Sequence, residues 1–283
     1  MFDYISKGNE TSDLACERRK ADTQIQGVKF RREIGNGFIW ERLEITSSEA
    51  EKSIGRPIGN YDTLNLPRMD TMDDEAIEDA ANEIAKELCH ALDRLSLSAD
   101  KILIVGLGNP NLTPDSIGPK TASMVNATMH IKKHNHSIFE ALECSEIAVC
   151  TPGVMSQSGM EAADMIVGLC EKIKPNAVFA VDSLASKSQK RLGSTIQISD
   201  TGIFPGSGIG NHRTPLNNDT LGVPVIAIGV PTVINANHLL SQEEEIIKSE
   251  QLNMFVSPRE IDGITDASSK IISLGINQAF GIF

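Results

Sequence analysis

A chain of 283 residues with 38 acidic side chains and 26 Lys or Arg carries a formal charge of −12. That charge opposes nonspecific attraction to nucleic acid and to anionic membranes, either of which would require a local basic patch. No apolar run approaches the roughly 18 residues that span a bilayer. The N-terminus is polar and mixed in charge, so the expectation is a cytoplasmic protein that is not exported. Cys16, Cys89, Cys144, Cys150 and Cys170 form neither a CxxC pair nor a zinc-spaced Cys/His cluster and read as reduced thiols.

In chain order, residues 1–20 are polar and aperiodic, which predicts a mobile leader, and residues 21–283 are expected to form a single α/β domain. Gly27 to Ile45 alternates apolar and polar residues around a Gly35-Asn36-Gly37 turn, the pattern of a hairpin. From Asp73 to Leu97 the apolar positions Ile77, Ala80, Ala81, Ile84, Leu88, Ala91, Leu92 and Leu95 recur at helical spacing. Ile102 to Val105 is a continuous apolar run ending in Gly106-Leu107-Gly108, as a buried parallel strand with a glycine turn requires. Ala177 to Val181 is a second such strand, ending at Asp182, and a helix from about Gly159 to Lys172 lies between the two. Val223 to Ile228 makes a third strand after a glycine-rich loop, and Ser257-Pro258-Arg259-Glu260 carries a capping-box signature before a last helix. Alternating strands and helices predict a three-layer α/β sandwich with a mainly parallel sheet and a small β-rich N-terminal extension.

Ligands of open parallel sheets bind beyond the carboxyl ends of the strands. Three features converge there: the loop Gly106 to Asp115, the strand-end Asp182, and the loop Ser199 to Asn211. An aspartate directly after five apolar residues makes Asp182 the sharpest local anomaly, although an N-cap for Ser183 to Ser186 also fits its position. Asp115 after Pro114 suits a turn as well as a site. Asp200 opens an Asp-Thr-Gly triplet that belongs to β-rich aspartic proteases rather than to an α/β pattern, and is read as a loop-ordering residue. The glycines from Gly202 to Gly210 lack the Lys-Ser or Lys-Thr of a phosphate loop, and Ser183 is outside a Gly-x-Ser-x-Gly elbow.

Val105 to Asn109 with Thr113 to Pro119, Val181 to Ser186, Thr195 to Ile203 continuing through Pro205 to Asn211, and Leu221 to Val233 together resemble the spore germination proteases. The resemblance covers most of the chain from about Gly55 onward. It implies an α/β sandwich similar to hydrogenase-maturation endopeptidases. It also implies an atypical aspartic-type endopeptidase that starts the degradation of small acid-soluble spore proteins in the developing spore core, made as a zymogen and assembled as a homotetramer. No cofactor is implied. The catalytic aspartates of the family fall on Asp115 and Asp182. The sequence departs from the family at Asn109-Pro110, where an aromatic residue usually follows the Asn. It departs also at Thr11-Ser12-Asp13-Leu14-Ala15, which approximates the usual processing site, and between Ala236 and Ser257, which is short.

Two close carboxylates suit peptide hydrolysis because one must be ionised to deprotonate water while the other donates a proton to the carbonyl oxygen. Asp115, Asp182 and His212 as ligands of a divalent metal are the alternative. A non-catalytic peptide-binding protein is the rival from another class. Peptidyl-tRNA hydrolase shares the opening Ile104 to Pro110 but lacks support downstream, where no Thr-Arg-His-Asn run follows. An acidic residue beside the scissile bond is implied by the resemblance, with Lys187, Lys190, Arg191 and Arg213 the cations nearest the cleft loops in sequence. Asp13-Leu14 is the expected point at which the leader is cut.

Overall fold

The computed structural model describes residues 12–19, 25–210, 213–239 and 254–281. In chain order the elements are α1 (Ala15–Arg18), β1 (Val28–Gly35), β2 (Phe38–Ile45), α2 (Ser48–Ile54), β3 (Gly59–Asn65), α3 (Asp74–Arg94) and β4 (Lys101–Gly106). They continue with α4 (Ile117–Met124), α5 (Met129–His134), α6 (His136–Leu142), β5 (Glu146–Cys150), α7 (Met155–Ser158), α8 (Ala162–Ile173), β6 (Ala177–Ser186) and β7 (Thr195–Ser199). The chain closes through α9 (Asn218–Leu221), β8 (Val225–Asn235), β9 (Phe255–Val256) and α10 (Ile261–Ala279).

All strands join one sheet in the order β1-β2-β3-β7-β8-β6-β4-β5, with β9 beside β8. The strands β8, β6, β4 and β5 run parallel, while β1, β2, β3 and β7 add to them in antiparallel fashion. The β-rich N-terminal part is therefore continuous with the main sheet. The hairpin turns through Asn36 and Gly37, both at positive φ, which matches the right-handed twist of the strands it joins.

Helices cover both faces of the parallel strands, which is why those strands read as unbroken apolar runs. Ile102, Ile104, Phe179 and Val181 face α3 and α10, against Ile84, Leu88, Ile272 and Ile276. Leu103, Val105, Val178 and Ala180 face α8, against Ala163, Ile166 and Cys170. Asp73 caps α3 by accepting the Ala76 N–H at 2.9 Å.

Three sequence expectations change. β6 runs on through Asp182 to Ser186, so Asp182 is not an N-cap. The capping box does not form: α10 begins at Ile261, and Glu260 makes no cap but accepts from Arg68 at 3.2 Å. Of the expected leader, residues 12–19 are seated in the body, with Leu14 and Ala15 fully buried, while 1–11 and 20 lie outside the described residues.

Candidate active site

β4 ends at Gly106, and the chain then bends through Gly108 to a short helical turn at Thr113–Asp115 before α4. Gly108 is required there. Its φ is +111°, and a Cβ on it would fall 2.1 Å from the Asp115 carbonyl oxygen. Gly118 plays a similar part at the start of α4, where a Cβ would meet the Leu107 and Val181 carbonyl oxygens at 2.1 and 2.5 Å. The two glycines let the loop close tightly and turn the Asp115 carboxylate inward. The Asn109 N–H donates to Asp115 Oδ2 at 2.9 Å.

Asp182 projects from the middle of β6, beyond the point where β4 leaves the sheet, and is 5% exposed. Its Oδ1 accepts the Ser183 N–H at 2.8 Å. Asp115 and Asp182 line one cleft of about 320 Å³, together with Leu107, Val154, Arg213, Ile209 and Phe255. Burial raises the pKa of Asp115 above the usual carboxylate range, opposed by the Asn109 N–H and Arg213. Burial raises Asp182 much further, aided by the charge of Asp115 and then that of Asp13, and opposed by the Ser183 N–H and Arg213. Both carboxylates therefore hold a proton more readily than a free aspartate does.

Asp13 forms part of the same cleft wall. Its N–H donates to the Ala185 carbonyl at 2.8 Å, and its carboxylate accepts from Ala185 N–H at 2.9 Å, Ser207 Oγ at 2.6 Å and Arg56 Nη2 at 3.2 Å. Gln197 brackets the Asp13–Leu14 peptide, accepting the Ala15 N–H at 2.8 Å and donating to the Asp13 carbonyl at 3.5 Å. Four residues on, the Glu17 carboxylate accepts from Ser186 Oγ at 2.8 Å, Lys187 N–H at 2.7 Å and Ser188 N–H at 3.1 Å, with Arg191 Nε 3.6 Å away.

The expected cations are thereby sorted. Arg213 lines the cleft. Arg191 is committed instead to Glu41 at 2.7 Å and Asn65 at 3.1 Å, and Lys187 meets the leader through its backbone. Asp200 holds Asn60 through both its carboxylate oxygens, at 2.8 and 2.7 Å, in keeping with a loop-ordering residue. His212 lies outside the described residues, and among the described residues no group of three His, Cys, Asp or Glu converges to hold a metal ion. Ser207 lies in the loop expected at the cleft, whereas Arg56 and Gln197 carried no sequence signal, because their partner is an N-terminal segment remote in the chain.

A family model described as germination protease matches residues 8–248. The chain belongs to the germination protease family. A germination protease of Caldanaerobacter subterraneus subsp. tengcongensis is 35% identical, aligned over 95% of this chain and 93% of its own length. One from Clostridium perfringens is 33% identical over 96% and 95%, and one from Bacillus cytotoxicus is 40% identical over 84% and 65%. Among solved structures, the NiFe hydrogenase maturation protease HycI from Thermococcus kodakarensis overlays 68% of this chain and 96% of its own at 18% identity, with a TM-score of 0.37. Membership makes this germination protease homologue a peptidase with a role in spore germination. No helix among the described residues is long and apolar enough to cross a membrane.

Proposed function

We propose that the chain is an aspartic-type endopeptidase in which Asp115 and Asp182 share one proton and activate water against small acid-soluble spore proteins. The supporting observation is the pair itself: a carboxylate from within β6 and one from the loop after the neighbouring parallel strand β4 line one cleft, and the charge of Asp115 raises the proton affinity of Asp182. Asp182, the more buried, keeps the proton. Asp115, the less buried, is the ionised partner.

In this reading Asp115 takes a proton from water as its oxygen bonds to the scissile carbonyl carbon, and Asp182 gives its proton to the carbonyl oxygen. Collapse of the tetrahedral intermediate breaks the C–N bond. Asp115 then passes its proton to the departing amine, and the hydroxyl proton returns to Asp182. The seated segment around Asp13-Leu14 supports a zymogen in which the single α/β peptidase domain of residues 21–283 is blocked by its own N-terminus. A homotetramer acting in the spore core completes the proposal.

Asp115→Asn or Asp182→Asn is expected to lower the cleavage rate of a spore-protein substrate by about 10²- to 10⁴-fold with the fold intact by circular dichroism. Either variant retaining a tenth or more of the wild-type rate overturns the dyad.

A further inference from the structure

The Asp13 carboxylate sits in a built pocket. Three donors converge on it, two side chains and one backbone N–H from three separate parts of the chain: Arg56 before β3, Ser207 in the glycine-rich loop, and Ala185 in β6. Arg56 and Asp13 side chains are each only 11% exposed, so their pairing is largely out of water, where a charge-assisted hydrogen bond is strong. The pocket fits its occupant loosely. A cavity of about 30 Å³ adjoins Asp13, lined by Arg56, Tyr61, Ser199, Thr201 and Ser207, and Arg56 Nε is buried without a partner. That space is enough to admit a water or a small group. An acidic side chain one methylene longer than Asp would reach further toward Nε.

The backbone at Asp13 supports the same conclusion. Its N–H pairs with the Ala185 carbonyl as an added strand would, which any extended peptide entering the cleft can reproduce. Gly208 is what admits the side chain, since a Cβ there would fall 2.2 Å from Asp13 Oδ2. Nothing in this arrangement depends on the occupant belonging to the same chain.

We propose that Arg56, with Ser207 Oγ and the Ala185 N–H, is the specificity-determining pocket for an acidic residue of the peptide substrate, and that Asp13 fills it until the leader departs. The proposal rests on the peptidase reading of the cleft and names the residues that select its substrate. It moves that role away from Arg191, which is bound to Glu41, and separates it from Arg213, which acts on the dyad.

The test uses the full-length chain after self-processing and two synthetic peptides that differ only in Glu or Gln beside the scissile bond. Wild type is expected to prefer Glu. Arg56→Gln is expected to lower kcat/KM for the Glu peptide about tenfold or more, mainly through KM, while leaving the Gln peptide within about twofold. A general disturbance of the structure would depress both peptides together. Should Arg56→Gln fail to fold or to process, Ser207→Ala decides the matter, with a smaller fall in the Glu-to-Gln ratio of about threefold. An unchanged ratio in the folded variants, or a ratio that collapses in Arg213→Gln instead, overturns the assignment and leaves the peptidase reading standing. Failure of wild type to cleave either peptide overturns both.

Discussion

Asp182 shows how the burial of a single carboxylate couples stability to pH. Folding raises its pKa, chiefly by burial and then by the neighbouring charge of Asp115. A group of this kind favours the fold fully below its unfolded pKa of about 3.8, and that contribution is lost as pH rises through the higher folded value. Asp182→Asn removes the ionisation while keeping the shape. The variant is expected to match wild type in acid and to gain thermal stability over it as pH rises, each kcal/mol appearing as about 2–4 °C in Tm. A stability advantage that grows on acidification would contradict this. The same residue explains a partial success in reading the sequence. The apolar run points to Asp182 and predicts that the strand ends there, because a buried carboxylate inside a strand defies local propensity. Its burial in β6 is the kind of local violation expected at a functional site.

At the scale of elements, the parallel strands and α3 were legible because each has one dominant period and its own termination signal. β3 and β7 were harder to see, since polar residues interrupt their apolar ones and the two pair with each other across 130 or more residues of chain, and β5 is only five residues long. The box at Ser257 to Glu260 failed for a related reason, since Glu260 is drawn to Arg68 rather than back to the helix start. The loop from β4 to α4 depends on Gly108, and Gly108→Ala combines a strained φ with a backbone collision at Asp115. Displacing Asp115 by about 1 Å is expected to cost roughly 10²-fold in kcat, measurable on a peptide substrate, with KM little changed. Wild-type kcat in a folded Gly108→Ala variant would separate that glycine from catalysis. Between β3 and α3, burial and the adjacent Glu87 raise Asp62 to about 7, while Arg94 and Arg42 oppose the shift. Raised above the ordinary aspartate value of 3.8, Asp62 stabilises the fold most in acid and loses that contribution as pH climbs through about 7. Wild type should therefore lose thermal stability between about pH 4 and 7, and Asp62→Asn should flatten that slope. An unaltered slope in the variant would place the titration elsewhere.

Across the whole molecule, the feature hardest to foresee is the seating of residues 12–19. Helix α1 spans only Ala15–Arg18, too short to show a period, and the partners of Asp13 and Glu17 in the body lie 43 to 194 residues away in sequence. A polar, aperiodic stretch is thus held by tertiary contacts that no local pattern reveals. Two of its carboxylates carry the attachment, Asp13 within the cleft and Glu17 at the end of β6. Glu17 is the better point of attack, because its contacts are outside the cleft and its loss leaves the dyad untouched. Glu17→Gln keeps the size of the side chain but removes the charge that draws the Lys187 and Ser188 N–H groups and Arg191. Charge-assisted hydrogen bonds are roughly twice as strong as neutral ones, so the segment should leave its seat more readily. If the leader blocks the cleft, the variant will process faster than wild type, and N-terminal sequencing will find the new start at Leu14 in both. The double variant Glu17→Gln with Asp182→Asn will remain uncut. Processing of Glu17→Gln at the wild-type rate, or an intact wild-type chain already fully active on substrate, would show that this attachment does not restrain the enzyme.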